Sequence, residues 1–220
     1  MTGKRGYGEA CPVAHSLDVV GDRWALLVVR ELRLGPKRFS DLQAGLPGAG
    51  PNVLAQRLRD LEEGGVLRRR VLPPPASVRV YELTEWGAEL EPVFGALARW
   101  GMRSPVPRAG RVSADSMMLG LRTFFDPGDG PPWTATYEFR LDRDVYRLRV
   151  VDGRLTELAR GDTAGLADVV VAGPRDDVGA LLDGLGAPID RGTAPEGVTV
   201  TGDRAALDRL VAATRTREGA

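Results

Sequence analysis

The segment from Phe39 to Leu67 constrains this chain more than any other. It reads FSDLQAGLPGAGPNVLAQRLRDLEEGGVL, with two apolar-spaced runs separated by the turn-forming residues PGAG. The apolar positions are Phe39, Leu42 and Leu46 in the first run, then Leu54, Leu58 and Leu61 in the second. Gly50 and Pro51 suit the N-cap and the first position of the second helix. The segment therefore predicts two helices joined by a sharp turn.

A basic hairpin is predicted directly after these helices. Two arginine-rich segments, Val66–Leu72 and Val78–Leu83, are separated by a run of three prolines. Helix, turn, helix and basic hairpin together outline a winged helix-turn-helix, which presents one helix to the DNA major groove and a hairpin to the neighbouring backbone. Two further helices are predicted upstream, at Cys11–Val20 and Asp22–Leu34.

The second helix of the motif is expected to have a base-reading side. Its three leucines must face the core, and at about 3.6 residues per turn the opposite side carries Asn52, Gln56 and Arg59. Asn and Gln pair bidentately with adenine, and Arg pairs with guanine. Arg57 lies near the edge of the apolar side, where a phosphate contact or an internal ion pair is expected. A solvated polar face is the alternative explanation of this stripe.

Further basic residues lie where DNA phosphates are expected. They are Lys37 and Arg38 before the motif, Arg68, Arg69 and Arg70 on the first strand, and Arg79 on the second. Arginine clusters beside a recognition helix suit phosphate binding. Because side chains alternate along a strand, at least one of the three successive arginines is expected to contact protein instead. A charged edge that deters aggregation is the alternative.

A long apolar helix is predicted after the hairpin. Thr84 is expected to cap it, Pro92 to kink it, and Trp100 to lie at its end. Its apolar residues are Trp86, Leu90, Val93, Phe94, Leu97 and Trp100. A domain of this size has little core left to bury so wide a face, so a subunit interface is expected here.

Four stretches of the first half resemble the HxlR family of bacterial transcription regulators. They are CPVAHSLDVVGDRWALLVVRELRLGPKRFSDL, VLAQRLRDLEEGGVLRRRV, YELTEWGAEL and LARWG, within residues 8–101. The resemblance implies a dimeric winged helix-turn-helix that binds double-stranded operator DNA. Cys11 falls where many members carry a cysteine, which in some of them senses electrophiles or oxidants. The alternative is a small helix-start thiol without that role, although a helix N-terminus lowers a thiol pKa.

The second half is predicted to be a separate α+β domain. Residues 1–103 form the DNA-binding and dimerisation domain, 104–111 (SPVPRAGR) a linker, and 112–220 the second domain. An amphipathic helix with Met117, Met118, Leu121, Phe124 and Phe125 begins it. Strands follow at 135–141, 146–150, 167–172 and 198–201, with a tight turn at 152–153 and helices that begin near Val178 and Asp203. An antiparallel sheet covered by helices is expected.

This half resembles the sterol carrier protein type two-like family through ADVVVAGPRDDVGALLDG and VTVTGDRAALDRL. That family encloses an apolar tunnel for lipids or other hydrophobic molecules, so the resemblance implies a ligand-sensing domain. The candidate lining residues are Met117, Met118, Leu121, Phe124 and Phe125. Packing of that stripe in the core is the alternative. A closed tunnel would leave a structural or dimer-supporting module.

Composition argues against catalysis. His15 is the only histidine and Cys11 the only cysteine, which excludes histidine triads, multi-histidine metal sites and an intrachain disulfide. No phosphate-binding glycine loop or nucleophile elbow is present, so no cofactor is expected. An enzyme, or a lipid carrier with a DNA-binding module, remains as the alternative use of a cavity in the second domain.

Charge and thiol content indicate where such a protein acts. Residues 1–103 carry 15 Lys/Arg and 12 Asp/Glu, a net +3, whereas residues 104–220 carry 15 Arg and 18 Asp/Glu, a net −3. That split suits a first half that faces DNA. A single thiol, a polar N-terminus and short apolar runs predict a cytoplasmic protein with no membrane partner.

Overall fold

The computed structural model describes residues 6–107, 110–182 and 197–214. Contacts divide the chain into two compact units, residues 1–107 and 108–220. The division falls within the segment expected to be a linker. Each unit has its own buried core. The core of the first unit surrounds the helix-turn-helix, and the core of the second unit lies against one face of a sheet.

The first unit consists of helices and one hairpin. The described elements are α1 (Pro12–Val20), α2 (Ala25–Leu32), α3 (Phe39–Gly45), α4 (Pro51–Glu63), β1 (Leu67–Val71), β2 (Arg79–Leu83), α5 (Glu85–Ala88) and α6 (Glu91–Met102). Gly50 is the N-cap of α4 and Pro51 occupies its first turn, as the sequence predicts. The winged helix-turn-helix is confirmed: α3 and α4 form the motif, and the antiparallel β1–β2 hairpin is the wing.

Two predicted helices differ from the observed ones. The segment predicted to form one helix from Thr84 to Trp100 contains two. Thr84 caps only the single turn of α5, where its Oγ1 accepts from the Gly87 N–H at 3.0 Å. Pro92 does not kink a helix but lies in the first turn of α6, where a proline leaves no helical acceptor unsatisfied. Likewise, α2 begins later than predicted, since Trp24 has φ of 76° and breaks the helical geometry.

The second unit is an α+β fold. Its described elements are α7 (Ala114–Phe124), β3 (Ala135–Leu141), β4 (Asp144–Val151), β5 (Arg154–Arg160), β6 (Val169–Gly173), α8 (Arg175–Leu181), β7 (Thr199–Gly202) and α9 (Arg204–Thr214). The strands form one sheet in the order β5-β4-β3-β6-β7. Tyr137 and Phe139 of β3 and Tyr146 of β4 are fully buried on one face, together with Met118 of α7.

The α+β class is confirmed, although the sheet is mixed rather than wholly antiparallel. β3 pairs in parallel with β6, whereas the other neighbouring pairs are antiparallel. After β5, at one edge of the sheet, the chain crosses over to the far side of β3. There it enters β6 in the same direction as β3, so these two strands are parallel. The predicted tight turn is present, with positive φ at both Asp152 and Gly153, and it leads into β5, a strand that was not predicted. Leu185, expected on the helix after β6, lies outside the described residues.

Candidate nucleic-acid interface

Helix α4 separates a buried apolar side from an exposed polar side. Leu54, Leu58 and Leu61 are at most 1% exposed and belong to the core of the first unit. Asn52, Gln56 and Arg59, together called the polar stripe, are exposed on the other side. The helical period thus places the three candidate base-reading side chains together on the solvent side of the second helix of the motif.

The polar stripe is joined to its neighbours by hydrogen bonds. Gln56 Nε2 donates to Asp60 Oδ1 at 2.7 Å, and Arg59 Nη2 donates to Gln56 Oε1 at 2.6 Å. Asp60 was not among the residues singled out from the sequence. The signal that could have found it is its four-residue spacing from Gln56, which brings two side chains together on a helix surface.

Arg57 forms the internal ion pair that was one of its two expected roles. Its side chain is only 14% exposed, and Nη1 lies 2.9 Å from Asp60 Oδ2 and also pairs with Asp22. Asp22 lies in the turn before α2. Arg57 therefore ties α4 to the preceding part of the fold, and this placement does not favour a phosphate contact.

Lys37 and Arg38 are adjacent in sequence but differ in surroundings. The Lys37 side chain is 11% exposed, and its Nζ lies 2.6 Å from Oε2 of the buried Glu31. The Lys37 backbone is also hydrogen bonded to Tyr81 of β2 in both directions, at 3.0 and 2.8 Å. Arg38 is exposed at the N-cap of α3. Arg38 can therefore reach a phosphate, whereas Lys37 neutralises an internal carboxylate.

The wing arginines are exposed and partly neutralised. Arg68 and Arg70 both pair with Glu82 on the adjacent strand, at 2.8 and 3.0 Å, yet they remain 66% and 48% exposed. Arg69 points to the other face and donates through Nε to Glu62 Oε2 of α4 at 2.7 Å. This hydrogen bond lowers the pKa of Glu62. The expected alternation of faces is present, but all three arginines pair with a carboxylate of the protein and all three remain exposed.

Arg79 differs from the other wing arginines. It lies on β2 opposite Val71, is exposed, and makes no ion pair with any residue in the described ranges. No carboxylate in those ranges offsets its charge, so it is the wing cation best placed to interact with a phosphate.

Cys11 occupies the N-cap of α1 as a free, partly exposed thiol. No side-chain capping hydrogen bond is formed, but the nearby backbone N–H groups of Ala14 and then Val13 lower the pKa of the thiol. Backbone N–H groups near a helix N-terminus favour the thiolate, the nucleophilic form of cysteine. The expected helix-start position is observed, and with it a thiol more acidic than a free cysteine.

The five candidate ligand residues of the second unit separate into two groups. Met117, Met118 and Leu121 are at most 3% exposed and pack in the core. Phe124 and Phe125 are half-buried. The Phe125 ring lies 6.0 Å from Trp133 and lines a concavity of about 320 Å³ with Arg122, Pro127, Gly153, Arg154 and Leu155. This placement favours core packing for the first three residues and leaves Phe125 beside an open surface.

Two buried carboxylates in the second unit were not anticipated. Asp115 of α7 is 2% exposed, accepts from Tyr146 Oη at 2.6 Å and pairs with Arg160. Glu138 of β3 is also 2% exposed and accepts from the Thr163 hydroxyl and N–H. The Thr163 hydroxyl, followed by its N–H, lowers the pKa of Glu138. Thr163, Tyr146 and Arg160 are distant in sequence from these carboxylates, whereas Glu138 also pairs with Arg140 on its own strand, at 2.7 Å.

Comparison with known proteins identifies the first unit. Residues 19–107 match the family described as HxlR-like helix-turn-helix. The HTH-type transcriptional regulator YvaP of Bacillus subtilis is 38% identical over 93 residues, which cover 42% of this chain and 86% of that protein. The chain belongs to the HxlR-like family.

Other members of the HxlR-like family give comparable matches. The HTH-type transcriptional regulator YodB of Bacillus subtilis is 36% identical over 91 residues, which cover 41% of this chain and 81% of that protein. The reduced form of YodB aligns with 46% of this chain and all of its own, at 33% identity and a TM-score of 0.40.

The described residues lack both a membrane-spanning helix and a metal-binding cluster. None of their helices is long and apolar enough to cross a membrane. They contain no group of three or more His, Cys, Asp or Glu side chains suited to a metal ion.

Proposed function

We propose that this HxlR-like protein regulates transcription by binding operator DNA as a homodimer, with the polar stripe of α4 reading bases in the major groove. The observation that carries the proposal is the exposure of Asn52, Gln56 and Arg59 opposite fully buried leucines, on the second helix of a winged helix-turn-helix. These side chains match the hydrogen-bonding edges of adenine and guanine. Such a regulator acts in the cytoplasm, where the DNA of a bacterium lies.

Phosphate contacts are assigned to the exposed arginines around this helix. Arg38 at the start of α3 and Arg79 on the wing are exposed. Arg68 and Arg70 share one carboxylate, Glu82, so the three side chains together retain a net positive charge. Phosphates attract such clusters through counterion release. Lys37 and Arg57 are assigned mainly to internal ion pairs, and Arg69 to its surface pair with Glu62.

Dimerisation is assigned to the apolar residues of α5 and α6. Trp86 is 50% exposed, Leu97 41% and Trp100 70%. Exposed aromatic and aliphatic residues at helical spacing are typical of an interface between copies of a chain. A dimer would place two recognition helices on half-sites about 34–36 Å apart.

The test begins with selection of binding sites from random duplexes by the full-length protein. The triple variant Asn52→Ala, Gln56→Ala, Arg59→Ala should then lose base preference, because each lost bidentate contact costs about 1–3 kcal/mol. Arg99→Ala, an exposed change on α6, is the matched control. Operator affinity of the triple variant equal to wild type at fixed salt would contradict the assignment.

The second unit is proposed to sense a hydrophobic molecule, as its resemblance to sterol carrier-like domains implies. The concavity beside Phe125 and Leu155 supports binding at the surface of this unit. A ligand that prefers one arrangement of the protein would shift operator affinity, typically by about 1–3 kcal/mol. Operator affinity should therefore be measured with and without each apolar compound that binds. Binding without any shift would favour a lipid carrier or an enzyme, and absence of binding a structural module.

A second candidate function is thiol-based sensing through Cys11. The lowered thiol pKa at the N-cap of α1 favours it, because the thiolate reacts with oxidants and electrophiles. Diamide or a quinone should then change operator affinity of the wild-type protein and leave Cys11→Ser unaffected. An equal response of both proteins would exclude Cys11 as the sensor.

A further inference from the structure

The amide of Gln56 is held from both ends on the surface of α4. Its Nε2 donates to Asp60 Oδ1 at 2.7 Å, and its Oε1 accepts from Arg59 Nη2 at 2.6 Å. A flipped amide would place its nitrogen against the guanidinium donor and its oxygen against the carboxylate. Both contacts would be repulsive, so the two neighbours select one orientation of the amide.

Asp60 is itself anchored to the body of the fold. Its Oδ2 accepts from Arg57 Nη1 at 2.9 Å, and Arg57 also pairs with Asp22 in the turn before α2. The Arg57 and Asp60 side chains are 14% and 18% exposed, so both are largely withdrawn from solvent. The carboxylate therefore has one oxygen fixed by the fold and the other presented to Gln56.

The held orientation is compatible with base reading. An amide oxygen has two lone pairs and an amide nitrogen has two hydrogens, so Gln56 keeps one acceptor and one donor site. Adenine offers its N6 donor and N7 acceptor in the major groove, which matches this remaining pair. Gln56 can thus bind adenine without breaking either bond on the helix.

We propose that Asp60 is a specificity-determining positioning residue, which orients the Gln56 amide for adenine without contacting DNA itself. The inference rests on the proposed base-reading role of Gln56. This role also explains why an acidic residue lies beside a surface assigned to DNA. Arg57 offsets the charge of Asp60 through Oδ2, and Asp60 Oδ1 orients the Gln56 amide. Supporting residues of this kind determine how well a binding group is held in its productive geometry.

The test uses the full-length protein and the base position that depends on Gln56. The ratio of affinities for adenine and the other three bases is measured there for wild type, Gln56→Ala, Asp60→Ala and Asp60→Asn. Gln56→Ala should lose about 5- to 150-fold of discrimination, the worth of one bidentate pair. Asp60→Ala should lose a substantial part of the same discrimination between adenine and the other bases. Asp60→Asn has a single acceptor oxygen, which the charged Arg57 guanidinium attracts, so its amide nitrogen faces Gln56 and adenine preference should fall as in Asp60→Ala.

A role of Asp60 as surface charge alone gives a different pattern. Removal of a negative charge near phosphates would strengthen binding of both Asp60 variants to all duplexes equally and would leave adenine preference unchanged. That result, with adenine preference intact in Asp60→Ala, would overturn the inference. If Gln56→Ala leaves preference unchanged at every position, the proposed base reading by Gln56 fails instead. Circular dichroism checks that both Asp60 variants keep the helix content of the wild-type protein.

Discussion

Lys37 Nζ lies 2.6 Å from Oε2 of Glu31, a carboxylate whose side chain is completely excluded from solvent. Arg30 Nη2 lies 2.9 Å from the other oxygen, so two cations neutralise one buried charge. The backbone of Lys37 also joins Tyr81 on the wing. This ion pair thus connects α2 with the segment that precedes α3 and with β2. It explains why a basic residue at the edge of a DNA-binding motif is directed inward.

Replacement of Lys37 should therefore affect stability more than DNA contacts. Lys37→Ala removes one of the two cations that pair with the buried Glu31 carboxylate, which should cost on the order of 2–4 kcal/mol of unfolding free energy. Urea unfolding followed by tryptophan fluorescence in a Trp133→Phe background reports on the first unit, which contains the other three tryptophans. Arg38→Ala is the control: it should leave stability nearly unchanged and weaken DNA binding. The reverse outcome would place Lys37 on the DNA.

The wing arginines should differ in their effect on salt dependence. Arg79 has no ion pair within the described ranges, so Arg79→Ala should reduce the slope of log affinity against log salt by about 0.9. Arg69 is engaged by Glu62, and Arg69→Ala should change the slope less. Titrations of one duplex at several salt concentrations measure both slopes. Equal slopes for the two variants and wild type would show that the wing does not lie on the backbone.

Dimerisation should depend on the exposed face of α6. Leu97→Asp places a charge among Val93 and Trp100 and should yield monomers, because an unpaired carboxylate is costly in an apolar interface. Arg99→Asp introduces the same residue about 200° further around the helix and should leave the dimer intact. Sedimentation velocity distinguishes these states. A wild-type protein that sediments as a monomer at working concentration would refute the dimer.

Cys11 should react at lower pH than an ordinary cysteine. The N–H groups of Ala14 and Val13 hold its pKa below the usual value, so the thiolate persists to more acidic pH. The rate of iodoacetamide alkylation should therefore reach half its maximum at a lower pH than for a cysteine in an unfolded peptide. Mass spectrometry across the pH range gives this midpoint. A midpoint equal to that of the peptide, or above it, would remove the support for thiol sensing.

Acid should destabilise the second unit partly through Glu138. Because its pKa is lower in the folded state, its stabilising contribution is present above the unfolded pKa of about 4.3 and is lost as pH falls through the folded value. Glu138→Gln cannot titrate, so the unfolding free energy of that variant should fall less as pH is lowered below about 4.3. Fluorescence of Trp133, with the other tryptophans replaced by Phe, follows this unit. An unchanged acid dependence would contradict the lowered pKa.

Local pattern was sufficient for much of the DNA-binding unit. The spacing of Leu54, Leu58 and Leu61 determines which side of α4 is buried, and so which side carries the polar stripe. Gly50 and Pro51 mark where that helix begins. Pro92 could not be interpreted in the same way, because a proline inside a helical pattern is compatible with a kink or with a new helix start.

The sequence by itself determined the helix-turn-helix, the wing and the exposed polar stripe, since these follow from periodicity and turn chemistry over a few residues. Only the tertiary structure decided which basic residues pair with carboxylates, and with which ones. Arg57 pairs with Asp22, and Arg69 with Glu62, because folding brings together residues that are separated along the chain. The parallel pairing of β3 with β6 is non-local in the same sense. Ion pairs and strand order depend on distances between elements, which local periodicity does not encode.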